Sequence, residues 1–255
     1  IQTMVYQAQM GTKEEKVIAM KDLVFSAINP DQQGFLLKSG ALPVFVKLLQ
    51  SGTLETKFSA CQAIGALTTH ESVRIQIGQS KAIENLHELL SDPADTLKVA
   101  ALQTLGNLMQ DVANQQRLIG IGGVSELTEL LAGGSDQMRR IAAGTIGNIG
   151  MYPDHVAAIL AAGAVPKLVD LLRANPVDRR DPLTVEVAVG ALRNIAQIDL
   201  PLQAMLDADA LAVLDALQTD TSSTSDTKDL AAELTEFLLE YQNTMTGSDN
   251  VFDEL

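Results

Sequence analysis

One octet recurs through the chain and limits what it can become. Ala101-Leu102-Gln103-Thr104-Leu105-Gly106-Asn107-Leu108 stands 41 residues after Ala60-Cys61-Gln62-Ala63-Ile64-Gly65-Ala66-Leu67 and 41 before Ala142-Ala143-Gly144-Thr145-Ile146-Gly147-Asn148-Ile149. A fourth copy, Ala188-Val189-Gly190-Ala191-Leu192-Arg193-Asn194-Ile195, follows after 46. A small residue, an aliphatic one four later and another three after that form a stripe along one helix face. Small residues on that stripe let a neighbouring helix come close. A unit of this kind cannot bury its own apolar face, so it must stack on its copies.

The rest of the period predicts three helices per unit. Gly40, Lys81, Gly122 and Gly163 are all 41 apart and fall on one turn between a short first helix and an apolar second one. Pro43 and Pro166 lie in the first turn of that second helix, where a missing N–H costs nothing. Gly120-Ile121-Gly122-Gly123 coincides with this turn and follows no strand, so it is not a phosphate loop. Near the N-terminus, a mixed segment is expected up to a break at Gly11. Thr12 with Glu14 and Glu15 then marks a helix start, and that helix ends at Asn29-Pro30. The expected fold is all-α, with five to six units near 1–39, 40–80, 81–121, 122–162, 163–208 and 209–245 in one array. The longer fifth interval puts a charged, proline-bounded loop at 173–182. The final helix, Lys228 to about Gln242, turns Leu230, Leu234 and Leu238 inward, and residues 246–255 read as an acidic tail.

Composition narrows function. Lys plus Arg is 18 and Asp plus Glu is 32, a net charge of −14. A field of that sign repels phosphate backbones and anionic lipid, which disfavours nucleic acid and favours basic protein surfaces. The single cysteine, Cys61, lies on the apolar stripe, so no internal disulfide is possible and a reducing compartment is the default. His70, His87 and His155 fall in different units at no metal spacing. No nucleophile elbow, P-loop or HExxH motif occurs. No cofactor, metal or catalytic role is expected.

The 41-residue unit, the Gly turn, the Leu-Leu second helix and the Ala-x-x-x-Leu-x-Asn-Leu third helix resemble the armadillo repeat over nearly the whole chain. The resemblance implies a right-handed superhelical solenoid whose third helices line a concave groove. It also implies an Asn column, here Asn107, Asn148 and Asn194, that clamps an extended peptide; an Asn offers both a donor and an acceptor to a peptide backbone. Bonding to a neighbouring unit's backbone is the alternative use of these side chains. The second unit has Ala66 at that position. The Trp that nuclear-import receptors carry four residues before the Asn is replaced by Gln62, Gln103, Gly144 and Gly190, which disfavours an import adaptor. Helix geometry puts residues four, seven and eight before the Asn on the same face, which adds Gln103, Phe58, Val99, Arg140 and Glu186 to the candidate groove. Lys16, Lys57, Lys98 and Arg139, again 41 apart, lie away from it and read as solvated or paired.

The implied function is a non-catalytic adaptor binding a protein or peptide partner, with the chain a monomer. The opening residues and small size are similar to the short armadillo-repeats-only proteins of apicomplexan parasites. Those sit on the cytosolic face of a secretory organelle, the rhoptry, through an acylated N-terminal segment and recruit a myosin-type motor. On that resemblance the chain is cytoplasmic and meets a membrane only through such a segment before Ile1. A regulator that releases nucleotide from the Hsp70 chaperone is the alternative. The closing Phe252-Asp253-Glu254-Leu255 is similar to an ER retrieval signal, whereas the absence of any glycosylation sequon and of a cysteine pair argues against a luminal home.

Overall fold

The computed structural model describes residues 1–173 and 181–249, with side chains to residue 245. Residues 174–180 of the expected charged loop, and 250–255 of the expected tail, lie outside the described residues. Among those described there are helices and no strand. No single one is long and apolar enough to cross a membrane. The chain divides into two compact units, Ile1–Gly123 and Val124–Leu255.

In the first unit, α1 (Gln2–Met10) and α2 (Lys13–Ile28) precede two three-helix tiles. These are α3 (Pro30–Lys38), α4 (Ala41–Ser51) and α5 (Leu54–Leu67), then α6 (Glu71–Gly78), α7 (Ala82–Glu88) and α8 (Asp95–Leu108); a 3-10 turn, Leu89–Ser91, extends α7. α9 (Val112–Gly120) closes the unit. α5 packs on α4 and lies between α2 and α8. Local chemistry fixes the starts. Thr12 Oγ1 accepts from Glu15 N at 3.2 Å while Glu15 Oε2 accepts from Thr12 N at 2.7 Å, a reciprocal cap. Asn29 ends α2 and caps α3 by accepting from Asp31 N at 3.0 Å. The mixed segment before the break at Gly11 is α1, anchored by buried Val5 and Ala8. Two inward residues are too few for a periodic signal to stand out.

The second unit contains α10 (Gly123–Gly133), α11 (Asp136–Gly150), α12 (Pro153–Ala161), α13 (Ala164–Leu172), α14 (Pro182–Ile195), α15 (Asp199–Asp207), α16 (Ala210–Thr219) and α17 (Ser225–Asp249). α14 packs on α13 and lies between α11 and α17. Leu234 and Leu238 of α17 are fully buried and Leu230 is half-buried. α17 runs past the expected end near Gln242 and takes in 246–249, so only the remainder of the expected tail lies outside it.

The octet stripe is the core. Ala60, Ile64 and Leu67, Ala101, Leu105 and Leu108, Ala142, Ile146 and Ile149, and Ala188, Leu192 and Ile195 are all 0% exposed. The shared turn is left-handed at Gly40, Gly122 and Gly163, with φ of 75°, 80° and 67°, where a side chain would cost about 1–2 kcal/mol. Lys81, expected at the same turn, instead has φ −84°. Ser80 takes over locally there, donating to Ile77 O at 2.5 Å and accepting from Ala82 N at 3.1 Å. Asp209 supplies the corresponding turn before α16 at φ 61°.

Candidate partner-binding face

Small residues set the spacing of the third helices. A Cβ on Gly65 of α5 would lie 3.2 Å from Thr104 Oγ1 of α8, which already donates to Cys61 O at 3.0 Å. A Cβ on Gly147 of α11 would lie 2.9 Å from Ala191 Cα of α14. Helices this close leave little room between them, so the residues beside the contact stripe stay half-covered.

In the first unit Phe58, Val99 and Asn107 are half-buried and Gln103 is exposed. Gln103 Nε2 donates to Asn107 Oδ1 at 3.3 Å, a same-face i, i+4 pair. The sequence reading missed α2's share of this face. Phe25 stands 41 residues before Ala66, in register with the Asn column, and is 75% exposed. Ile18 and Ile28 on the same helix are 63% and 61% exposed. The signal is present in the spacing, but α2 lacks the octet of the later third helices, so the Asn register does not draw attention to Phe25.

In the second unit Arg140, Asn148, Glu186 and Asn194 are half-buried. All four have partners, and those of Arg140, Asn194 and Glu186 lie within the unit. Arg140 Nη1 donates to Asp181 Oδ2 at 2.7 Å, and Thr184 Oγ1 donates to the same oxygen at 3.1 Å. Asn194 Nδ2 donates to Gly147 O at 3.4 Å, tying α14 to α11. Glu186 Oε2 accepts from Thr224 Oγ1 at 3.1 Å. Arg193 pairs with Glu233 at 2.9 Å, and that bond raises its pKa above the ordinary guanidinium value. Arg140 and Arg193 therefore do not present free charge, and this unit's face is small and apolar, edged with carboxamides and the Glu186 carboxylate.

The basic column is partly paired. Lys98 meets Asp95 at 3.4 Å and Arg139 meets Asp136 at 3.2 Å, each with the acid three residues before. Such surface pairs contribute about 0–1 kcal/mol. A stronger tie is Arg117, which donates to Glu84 Oε1 through Nε and Nη2 at 3.0 and 2.7 Å and to Gly78 O at 2.6 Å. Burial alone would raise the Glu84 pKa. The backbone N–H bonding it, the Arg117 guanidinium and Lys81 outweigh burial and hold the carboxyl below its ordinary range.

Cys61 is fully buried in α5, and burial pushes its thiol up to about 12, against smaller opposing effects of a backbone hydrogen bond and Lys57. The thiolate is the reactive form. The folded chain is expected to show no measurable reaction with Ellman's reagent at pH 8, and one thiol per chain after denaturation. A titratable thiol in the native protein would contradict this packing.

Fold and face together define a helical-repeat protein in which three-helix tiles bury a shared stripe and leave their third helices partly open. Its fold is that of armadillo-repeat proteins, and two stretches carry the repeat itself. The family model described as armadillo/beta-catenin-like repeat matches residues 29–69 and 153–197. The chain is similar to a designed armadillo repeat protein at 26% identity, with a TM-score of 0.84 over 93% of this chain and 99% of that one. It is also similar to a designed armadillo repeat protein solved in complex with the peptide (KR)4, at 26% identity and a TM-score of 0.85 over 93% and 98% of the two chains. A computationally designed armadillo protein for modular peptide recognition matches at 26% identity and a TM-score of 0.84, over 94% and 98%. No curated protein matches the chain.

Proposed function

We propose that this chain is a non-catalytic adaptor that holds an extended segment of a partner protein along its third helices. The observation that carries the reading is the half-buried set Phe58, Val99 and Asn107 beside a tightly packed stripe in the first unit, with the exposed ring of Phe25 in the same register; Asn148 holds the matching repeat position in the second unit. Apolar anchors with regularly spaced amides suit a peptide whose alternate side chains face the protein. The net charge of −14 selects basic segments. A structural relative at 26% identity binds (KR)4, but this chain has no Trp to sandwich lysine stems. Its preferred segment therefore mixes basic and apolar residues. In the finer form of the proposal, suggested by the family resemblance, the adaptor works on the cytosolic face of a secretory organelle and recruits a motor.

The test is fluorescence anisotropy with labelled (KR)4 and (KL)4 peptides. The (KL)4 peptide is expected to bind tighter. Asn107→Ala with Asn148→Ala is expected to weaken it by about tenfold or more, the worth of one to two net hydrogen bonds, with a thermal transition nearly unchanged. Unchanged affinity with a lowered transition would assign both residues to the stack instead.

A further inference from the structure

One seam between tiles departs in charge from the others. Where α1, α2 and α4 meet the start of α5, a cavity of about 210 Å³ is lined by Lys13, Lys16 and Lys47 together with Ser51, Thr53 and Thr56. None of these lysines forms an ion pair among the described residues, although the chain carries 32 acids against 18 bases. The neighbouring acids do not line the cavity, and Glu15 is occupied by its bond to Thr12 N.

The repeat register shows what stands at these positions elsewhere. Three residues before the column base come Lys13, Leu54, Asp95 and Asp136 in successive tiles. The second-helix position of Lys47 is Glu88, Glu129 and Asp170 in the next three. Lys13/Lys16/Lys47 thus corresponds to Leu54/Lys57/Glu88, then Asp95/Lys98/Glu129, then Asp136/Arg139/Asp170. The later seams are neutral or carry one net negative charge, while the first carries three positive charges. Where Lys98 and Arg139 meet an acid one turn back, Lys16 has Lys13 at that position. Three like charges gathered around so small a volume repel one another unless an anion joins them. The N-terminus of α5, a 14-residue helix capped by Thr53, adds a field of the same sign.

We propose that this seam is a binding site for a phosphate dianion, held by the ammonium groups of Lys13, Lys16 and Lys47 beside the N-terminus of α5, whose threonine hydroxyls are already engaged in the helix cap. The volume admits one phosphate group with a short attachment. Three point charges in fork-free ammonium form suit a tetrahedral dianion better than a planar carboxylate, which is best matched by a bidentate guanidinium. Free orthophosphate and a phosphoserine side chain share this chemistry. The site is separate from the third-helix face, so its occupancy and the peptide reading can fail independently.

Amide chemical shifts of the full chain would be followed at constant ionic strength in three titrations: orthophosphate, a phosphoserine peptide and its unphosphorylated twin. Saturable shifts at Gly52, Thr53 and Leu54 are expected with the first two and not with the third. Tighter binding of the phosphopeptide identifies a protein-borne phosphate; equal or weaker binding identifies the free ion. Lys13→Asp and Lys47→Glu restore the residue types of the later tiles, so the fold should survive. Each should weaken phosphate binding by at least about tenfold, as expected when a cation becomes a repelling anion. Lys81→Glu, outside the cavity, should leave it unchanged. Non-saturating shifts in the wild type, or equal affinity in Lys13→Asp and Lys47→Glu, would overturn the assignment.

Discussion

Gly147→Val is expected to destabilise the second unit by about 2–3 kcal/mol, the usual cost of overpacking a filled core. A Cβ at this position lies 2.9 Å from Ala191 Cα and 3.0 Å from Ala191 Cβ. The obstruction is backbone on a neighbouring helix, so no rotamer change relieves it, and α14 as a whole must move away from α11. That shift also stretches the bond from Asn194 Nδ2 to Gly147 O. The transition should fall by roughly 5–10 °C. Gly190→Ala is the control, because a Cβ there meets nothing within 4 Å. Equal melting of the Gly147→Val variant and the wild type would show that the third helices are not held at backbone contact.

Gly78→Ala is expected to cost the first unit about 2–4 kcal/mol. The added methyl would overlap Asn114 Oδ1 and lie 2.6 Å from its Cγ. Asn114 is only 3% exposed, and its Nδ2 donates to Leu108 O at 3.1 Å and Arg74 O at 3.3 Å. Displacing it leaves buried carbonyls without their donor, at about 1–3 kcal/mol each, on top of the steric term. Denaturant melts of Gly78→Ala, Asn114→Ala and the double variant measure the coupling. The double variant should lose much less than the sum of the two, because removing the carboxamide makes room for the methyl. Additive losses would mean that Asn114 yields without strain.

The two glycines show how far periodicity reaches. The octet carries the small residues and the buried stripe in one pattern, so the close approach at Gly147 could be read from spacing alone. The Thr12 start and the break at Asn29-Pro30 were legible for a similar reason, since such signals depend on residues at most three apart. Asn114 against Gly78 was not legible, because the partners come from different helices, 36 positions apart, and neither belongs to the octet. The candidate face divides in the same way. Asn107 and Asn148 come from the repeat's resemblance to the armadillo family, and Phe58 and Val99 from helix geometry around that column. The engagement of Arg140 by Asp181, 41 residues on, depends on how one side chain crosses between tiles. Lys81 shows the limit from the other side: register placed it on the same turn as three glycines, but the backbone there is not left-handed and the turn is tied by the side-chain oxygen of Ser80.

The sealed position of Cys61 has a practical consequence for watching this protein at work. It is the chain's only cysteine and is fully buried, so cysteines introduced at exposed positions such as Gln103 and Leu183 would be the ones that a thiol-directed dye finds. A donor and acceptor attached there, one in each compact unit, would report the distance between the two sites with and without a peptide, with the native sulfur left in place.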